Sequence, residues 1–99
     1  MVSQYQRGRA KEYRAMLILK RDGWLVARSA ASHGPVDLFA ASRGKRLLIQ
    51  VKSGKAKVNK VEIQELIKWA NAFAAEAEVW HFKGRGEILK RRVRTQKTG

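Results

Sequence analysis

Residues 35–52 read P-V-D-L-F-A-A-S-R-G-K-R-L-L-I-Q-V-K, two apolar-rich segments on either side of Ser42-Arg43-Gly44-Lys45. The spacer is short enough for a tight hairpin, so strands are expected over Val36–Ala41 and Arg46–Lys52. A two-residue loop at Arg43-Gly44 and a four-residue loop from Ser42 to Lys45 impose one and the same register. Val36 then faces Val51, Leu38 faces Ile49, Ala40 faces Leu47, and Asp37 faces Gln50. Side chains alternate along a strand, so the first three pairs make one wholly apolar face, expected to be core. The other face carries Asp37, Phe39, Leu48, Gln50 and Lys52.

Directly opposite residues hold their Cβ atoms roughly 4.5 to 5.5 Å apart, close enough for Asp37 and Gln50 to share one ion. Lys52 lies on the same face, two residues beyond Gln50. Such a grouping suits phosphodiester hydrolysis: a divalent cation polarises the phosphoryl oxygen and acidifies a water, and a lysine assists the attacking water or the developing charge. Mg²⁺, with Mn²⁺ as a substitute, fits a site of oxygen donors. A carboxylate, an amide and a lysine on one strand face also describe an ordinary solvated polar surface.

Outward from the hairpin, apolar residues at Ala10, Tyr13, Met16 and Leu17, with a capping box at Ser3 and Gln6 and a stop at Asp22-Gly23, predict a first helix. Trp24–Arg28 reads as a strand. Asn59 with Glu62 is a second capping box, followed at helical spacing by Ile63, Leu66, Ile67, Ala70, Phe73 and Ala74. Glu78–Phe82 is a fourth strand, Gly84-Arg85-Gly86 a turn, and Glu87–Val93 a fifth strand. The order αβββαββ predicts a single α/β domain over residues 1–99, a mixed sheet of four to five strands with a helix on each face.

The chain has 99 residues, no cysteine, and 22 Lys and Arg against 8 Asp and Glu, a formal net charge of +14. Disulfides, thiol nucleophiles and cysteine-built zinc sites are excluded. So large a positive charge implies a polyanionic partner, nucleic acid first. An anionic membrane fits less well, because the basic residues are spread along the chain instead of lining one amphipathic helix. No apolar run approaches a membrane span, so a soluble, intracellular protein is expected.

Four segments, G-R-A-K-E (8–12), R-S-A-A-S (28–32), P-V-D-L-F-A (35–40) and L-I-Q-V-K (48–52), resemble in order and spacing the motifs of archaeal-type Holliday junction resolvases, within the PD-(D/E)xK nucleases. The resemblance implies a restriction-endonuclease-like core and a metal-dependent endonuclease, a homodimer acting on branched double-stranded DNA. It implies Glu12, Asp37, Gln50 and Lys52 as catalytic residues, and Glu12, Asp37, Gln50 and Val51 as the metal-holding set. Arg28 and Ser32 match positions near the scissile phosphate. Arg7, Arg9, Lys55 and Lys57 complete the expected DNA contacts, the last two on the K-S-G-K-A-K run after the catalytic strand.

Two positions depart from the family pattern. Gln50 stands where the family usually has Glu, so a cation would be held by fewer negative charges and more weakly. Other branches of the superfamily use QxK. Tyr13 stands where a basic residue is common. Three rivals therefore stay open: another nuclease of the superfamily, of restriction or repair type, a DNA-binding module without chemistry, and a small RNA-binding protein. Trp69 falls off the apolar stripe of the second helix and reads as an exposed aromatic, for a dimer interface or for stacking on an opened junction. The run Lys90–Arg94 reads as a phosphate-docking arm or as a charged edge strand.

Overall fold

In the computed structural model the hairpin closes through the two-residue loop: Arg43 and Gly44 both take positive φ, 50° and 82°. That is the left-handed pair whose twist matches the flanking strands. Residues 4–30 and 34–94 are described, with the side chains of residues 4–8 and of Arg85 left outside that description. The first capping box, Ser3 with Gln6, therefore falls outside it.

The elements are α1 (Gln4–Arg21), β1 (Leu25–Arg28), β2 (Leu38–Ser42), β3 (Lys45–Ser53), α2 (Lys60–Ala72), β4 (Glu76–Phe82) and β5 (Ile88–Val93), with a short 3₁₀ turn at Gly84–Gly86. The five strands form one sheet in chain order, antiparallel except for the parallel pair β3–β4, which α2 connects. The β2–β3 register is the one the sequence predicts from Leu38↔Ile49 to Ser42↔Lys45.

Helix α1 covers one face, burying Ala15 and Leu19 against Leu38, Ala40, Leu47, Ile49, Trp80 and Phe82. Helix α2 covers the other, where Leu66 and Ala70 meet Leu48, Ala77 and Val79. The second face of the hairpin is half core, as a helix on each face requires: Leu48 is buried and Phe39 packs beside it under α2, because a parallel crossover helix must cover the sheet it joins. One expectation is corrected: Val36 belongs to that same α2 cluster, not to the face of Val51. Pro35 has no N–H to continue a ladder and the chain bends at Asp37, so alternation is broken there.

The stripe read on α1 is also out of phase. Ala10, Tyr13 and Leu17 are exposed, whereas Ala15 and Leu19 face the sheet with Met16 and Ile18 beside them. Helix α1 ends as expected at Asp22-Gly23, with Gly23 at φ 89° and the N–H groups of Gly23 and Trp24 returning to the carbonyls of Lys20 and Leu19. Phe73 and Ala74, read as helical, instead close α2: Ala74 takes φ 54° and Ala75 N–H returns to Ala70 O at 2.7 Å. The run 90–93 is an edge strand, with Arg92 bridging Glu76 and Glu78 at 2.8 and 2.9 Å.

Candidate active site

Four elements converge where β1 ends, β2 begins and β3 approaches its C-terminus, with α2 starting above. Asp37 sits at the bend before β2. Its N–H donates to Ile49 O at 2.9 Å, and its Oδ2 accepts the Val51 N–H at 2.7 Å. The ladder therefore stops short of a regular Asp37–Gln50 pair, and the aspartate side chain serves as the acceptor that the bent main chain fails to offer. Burial pushes the Asp37 carboxyl up to about 6, against the Val51 N–H, with Glu12 and Glu62 adding to the rise and Lys52 opposing it. Acids from both helices thus bear on one aspartate.

Gln50 is 5% exposed. Its Nε2 donates to Glu62 Oε2 at 3.2 Å, while its Oε1 is buried and has no hydrogen-bond partner. Lys52 Nζ donates to the same Glu62 oxygen at 2.7 Å. Glu62 is itself fixed by the capping box of α2, its Oε1 accepting Asn59 N–H at 3.0 Å and its N–H donating to Asn59 Oδ1 at 2.8 Å. Burial works to raise the Glu62 carboxyl, but Lys52, the Asn59 N–H and the Gln50 amide together hold it below the usual range. Sequence reasoning assigned Glu62 only to the helix cap. The signal that could have found it is its acid at the third helical position, one turn above the strand that carries Gln50 and Lys52.

On the other side, Arg28 ends β1 and its Nη1 donates to Glu12 Oε1 at 3.2 Å, with the guanidinium 5.3 Å from the centre of the Tyr13 ring. Tyr13, in the place of a second basic residue, gives Arg28 a surface to lie on. Among the described residues no three His, Cys, Asp or Glu side chains converge to hold an ion by themselves. The donor set nevertheless fits a hard cation. An unpartnered buried amide oxygen is costly to keep, and a buried aspartate flanked by two further acids gains most from a positive charge.

A family model described as archaeal Holliday junction resolvase (Hjc) matches residues 3–96. This chain belongs to the archaeal Holliday junction resolvase family. It is 35% identical over 92 residues to the "Crossover junction endodeoxyribonuclease Hjc" of Methanocaldococcus jannaschii, covering 90% of this chain and 68% of that protein. Its fold is similar to the solved structure of Archaeoglobus fulgidus Hjc, a Holliday junction resolvase, with a TM-score of 0.77 and 26% identity over 92% of this chain and 80% of that one. The resolvase family thus accounts for the mixed five-stranded sheet and its two helices.

Of the DNA-contact set expected of a resolvase, Arg28 lies at the site, Arg9 is half-buried on α1, and Lys55 and Lys57 are exposed on the loop after β3. That loop is pinned where it begins: Gly54 N–H donates to Phe82 O at 3.2 Å, and His81 Nε2 lies 2.8 Å from Gly54 O. The Arg7 side chain and Ser32 fall outside the described residues.

Proposed function

We propose that the chain is a divalent-cation-dependent endonuclease that cuts four-way DNA junctions, acting as two identical copies. The observation that carries this reading is the cluster of Asp37, Gln50 and Lys52 with its unpartnered Gln50 oxygen, in a chain that belongs to a resolvase family. Asp37, the Gln50 oxygen, Glu12 and the main-chain carbonyl of Val51 would hold the ion, Mg²⁺ with Mn²⁺ as a substitute. When bound, such an ion supplies Lewis acidity toward the phosphoryl oxygen and lowers the pKa of a water. Lys52 holds an ammonium beside the carboxylates, ready to donate to the non-bridging oxygens as charge builds on the phosphate. Arg28 holds a neighbouring phosphate, and Lys55 and Lys57 bind the backbone on either side without reading sequence. This reading goes with the cytoplasm of a prokaryotic or virus-infected cell as the place of action.

Two cuts placed symmetrically across a four-way junction need two equivalent sites, which a two-fold dimer supplies. The surface for it is the outer side of β1 and β2, which α2 leaves open as it packs on β3 and β4. There Leu25 is 80% exposed, and Phe73 and Trp69 are 46% and 41% exposed, with the three rings of Phe39, Phe73 and Trp69 in a row at centroid spacings of 5.6 and 6.1 Å. Light scattering of the wild type and of Phe73→Glu tests the dimer, the variant being expected as a monomer.

Gln50 favours one alternative, a domain that binds junctions without cutting them. Incubating the protein with a synthetic four-way junction and with linear duplex, in Mg²⁺ and in chelator, separates the readings. Paired nicks in the junction, in Mg²⁺ only, are expected. Equal cutting of linear duplex would remove the junction preference, and tight binding with no cutting would favour the alternative.

A further inference from the structure

Resting on the reading of this cluster as a cation site, we propose that Glu62 is the positioning residue that replaces the carboxylate missing from position 50. Two observations carry it. The buried Gln50 amide points its nitrogen at Glu62 Oε2, 3.2 Å away, and leaves its oxygen without a partner. The same Glu62 oxygen takes the Lys52 ammonium at 2.7 Å. An ionised carboxylate only accepts hydrogen bonds, so the amide group facing it must be the NH₂. The oxygen is thereby turned away from Glu62 and kept available as a ligand.

Glu62 does a second thing in the same place. Position 50 is neutral, so the site would have one negative charge fewer than a site with Glu there. Glu62 restores that charge within hydrogen-bonding distance of both Gln50 and Lys52. It cannot drift, because Asn59 N–H holds its other oxygen at 3.0 Å on the first turn of α2. Gln50 and Glu62 are therefore one unit: a carboxylate at both positions would repel across the gap that the amide now bridges, and a carboxylate at neither would leave Lys52 without its counter-charge.

The test exploits the helix cap. Glutamine at the third helical position still accepts from the N-cap main chain, so Glu62→Gln removes the charge and keeps the cap. Mn²⁺ binding to the full chain without DNA is measured by calorimetric titration for the wild type, for Glu62→Gln and for the exchanged pair Gln50→Glu/Glu62→Gln, with thermal melts in chelator to compare folding. Removing a unit charge this close should weaken Mn²⁺ binding at least about tenfold. The exchanged pair, with one carboxylate again and one amide, should return to within about threefold of the wild type, a difference of well under 1.4 kcal/mol. A structural role alone would leave Mn²⁺ affinity unmoved in Glu62→Gln, and that result overturns the proposal. So does an exchanged pair no better than Glu62→Gln, which also decides the matter if the single variant folds poorly. A wild type that binds Mn²⁺ and cuts junctions while Glu62→Gln binds equally well defeats this inference alone. A wild type that binds no Mn²⁺ defeats the cation site with it.

Discussion

Between Leu47 and Ile49, strand β3 buries apolar side chains against both helices, Leu47 and Ile49 under α1 and Leu48 under α2. Between Gln50 and Lys52 the same strand carries an amide that is nearly as buried as those leucines and an ammonium held by a carboxylate. The first half gains stability from every side chain. The second half places a buried oxygen without a partner and sits beside an aspartate whose ionisation burial opposes. A strand optimised for folding alone would continue the apolar pattern, so the difference separates residues that hold the sheet together from residues whose burial costs stability, as the proposed site requires.

The contrast can be broken most severely at Ile49, which is fully buried. Ile49→Ala should cost about 3 to 4 kcal/mol, through lost transfer energy and the cavity left behind, read from denaturant unfolding. Asp37→Asn should act in the opposite direction. The Asp37 carboxyl titrates at about 6 in the folded chain against an ordinary 3.8, so the folded state binds the proton more tightly than the unfolded state. Stability is then lost as pH rises from about 4 to 6, and stays low above that window. The neutral amide escapes this loss and should stabilise the chain by about 3 kcal/mol at pH 7 in chelator, with the gain vanishing near pH 4. The smallest effect is expected at Gln50. Gln50→Met fills the same space without an unsatisfied oxygen, and unfolding in chelator should show a change within about 1 kcal/mol, neutral or favourable. A large loss there would mean that the amide is structural and would erase the distinction between the two halves of the strand.

Much of this arrangement is legible in the sequence. The hairpin register is legible because a two-residue and a four-residue loop across Ser42–Lys45 give the same pairing, and Asn59 with Glu62 fixes where α2 begins. Gln50 and Lys52 share one strand face in that register, whereas the expected Asp37–Gln50 pair is replaced by a bend in which the Asp37 side chain accepts the Val51 N–H. The rest depends on tertiary packing. On α1 it is Ala15 and Leu19 that face the sheet, while the Tyr13 ring lies against the Arg28 guanidinium, neither of which helical spacing alone encodes. The turn of Val36 toward α2 comes from the bend at Asp37, which interrupts the alternation that strand reading assumes. Glu62 was hidden by its first role, since a helix cap explains an acid at that position completely until the strand beneath it is seen.

On the proposed reading, Asp37 and Lys52 act on the DNA linkage while the charged surface around them binds it. The direct measurement is single-turnover nicking of a four-way junction in Mg²⁺ by Asp37→Ala and Lys52→Ala, alongside junction affinity measured in Ca²⁺. Both variants should lose at least about 100-fold in nicking rate, the scale for removing a group that meets developing charge, and keep affinity within about threefold. Full cleavage by either variant would show that the linkage is cut without these two side chains.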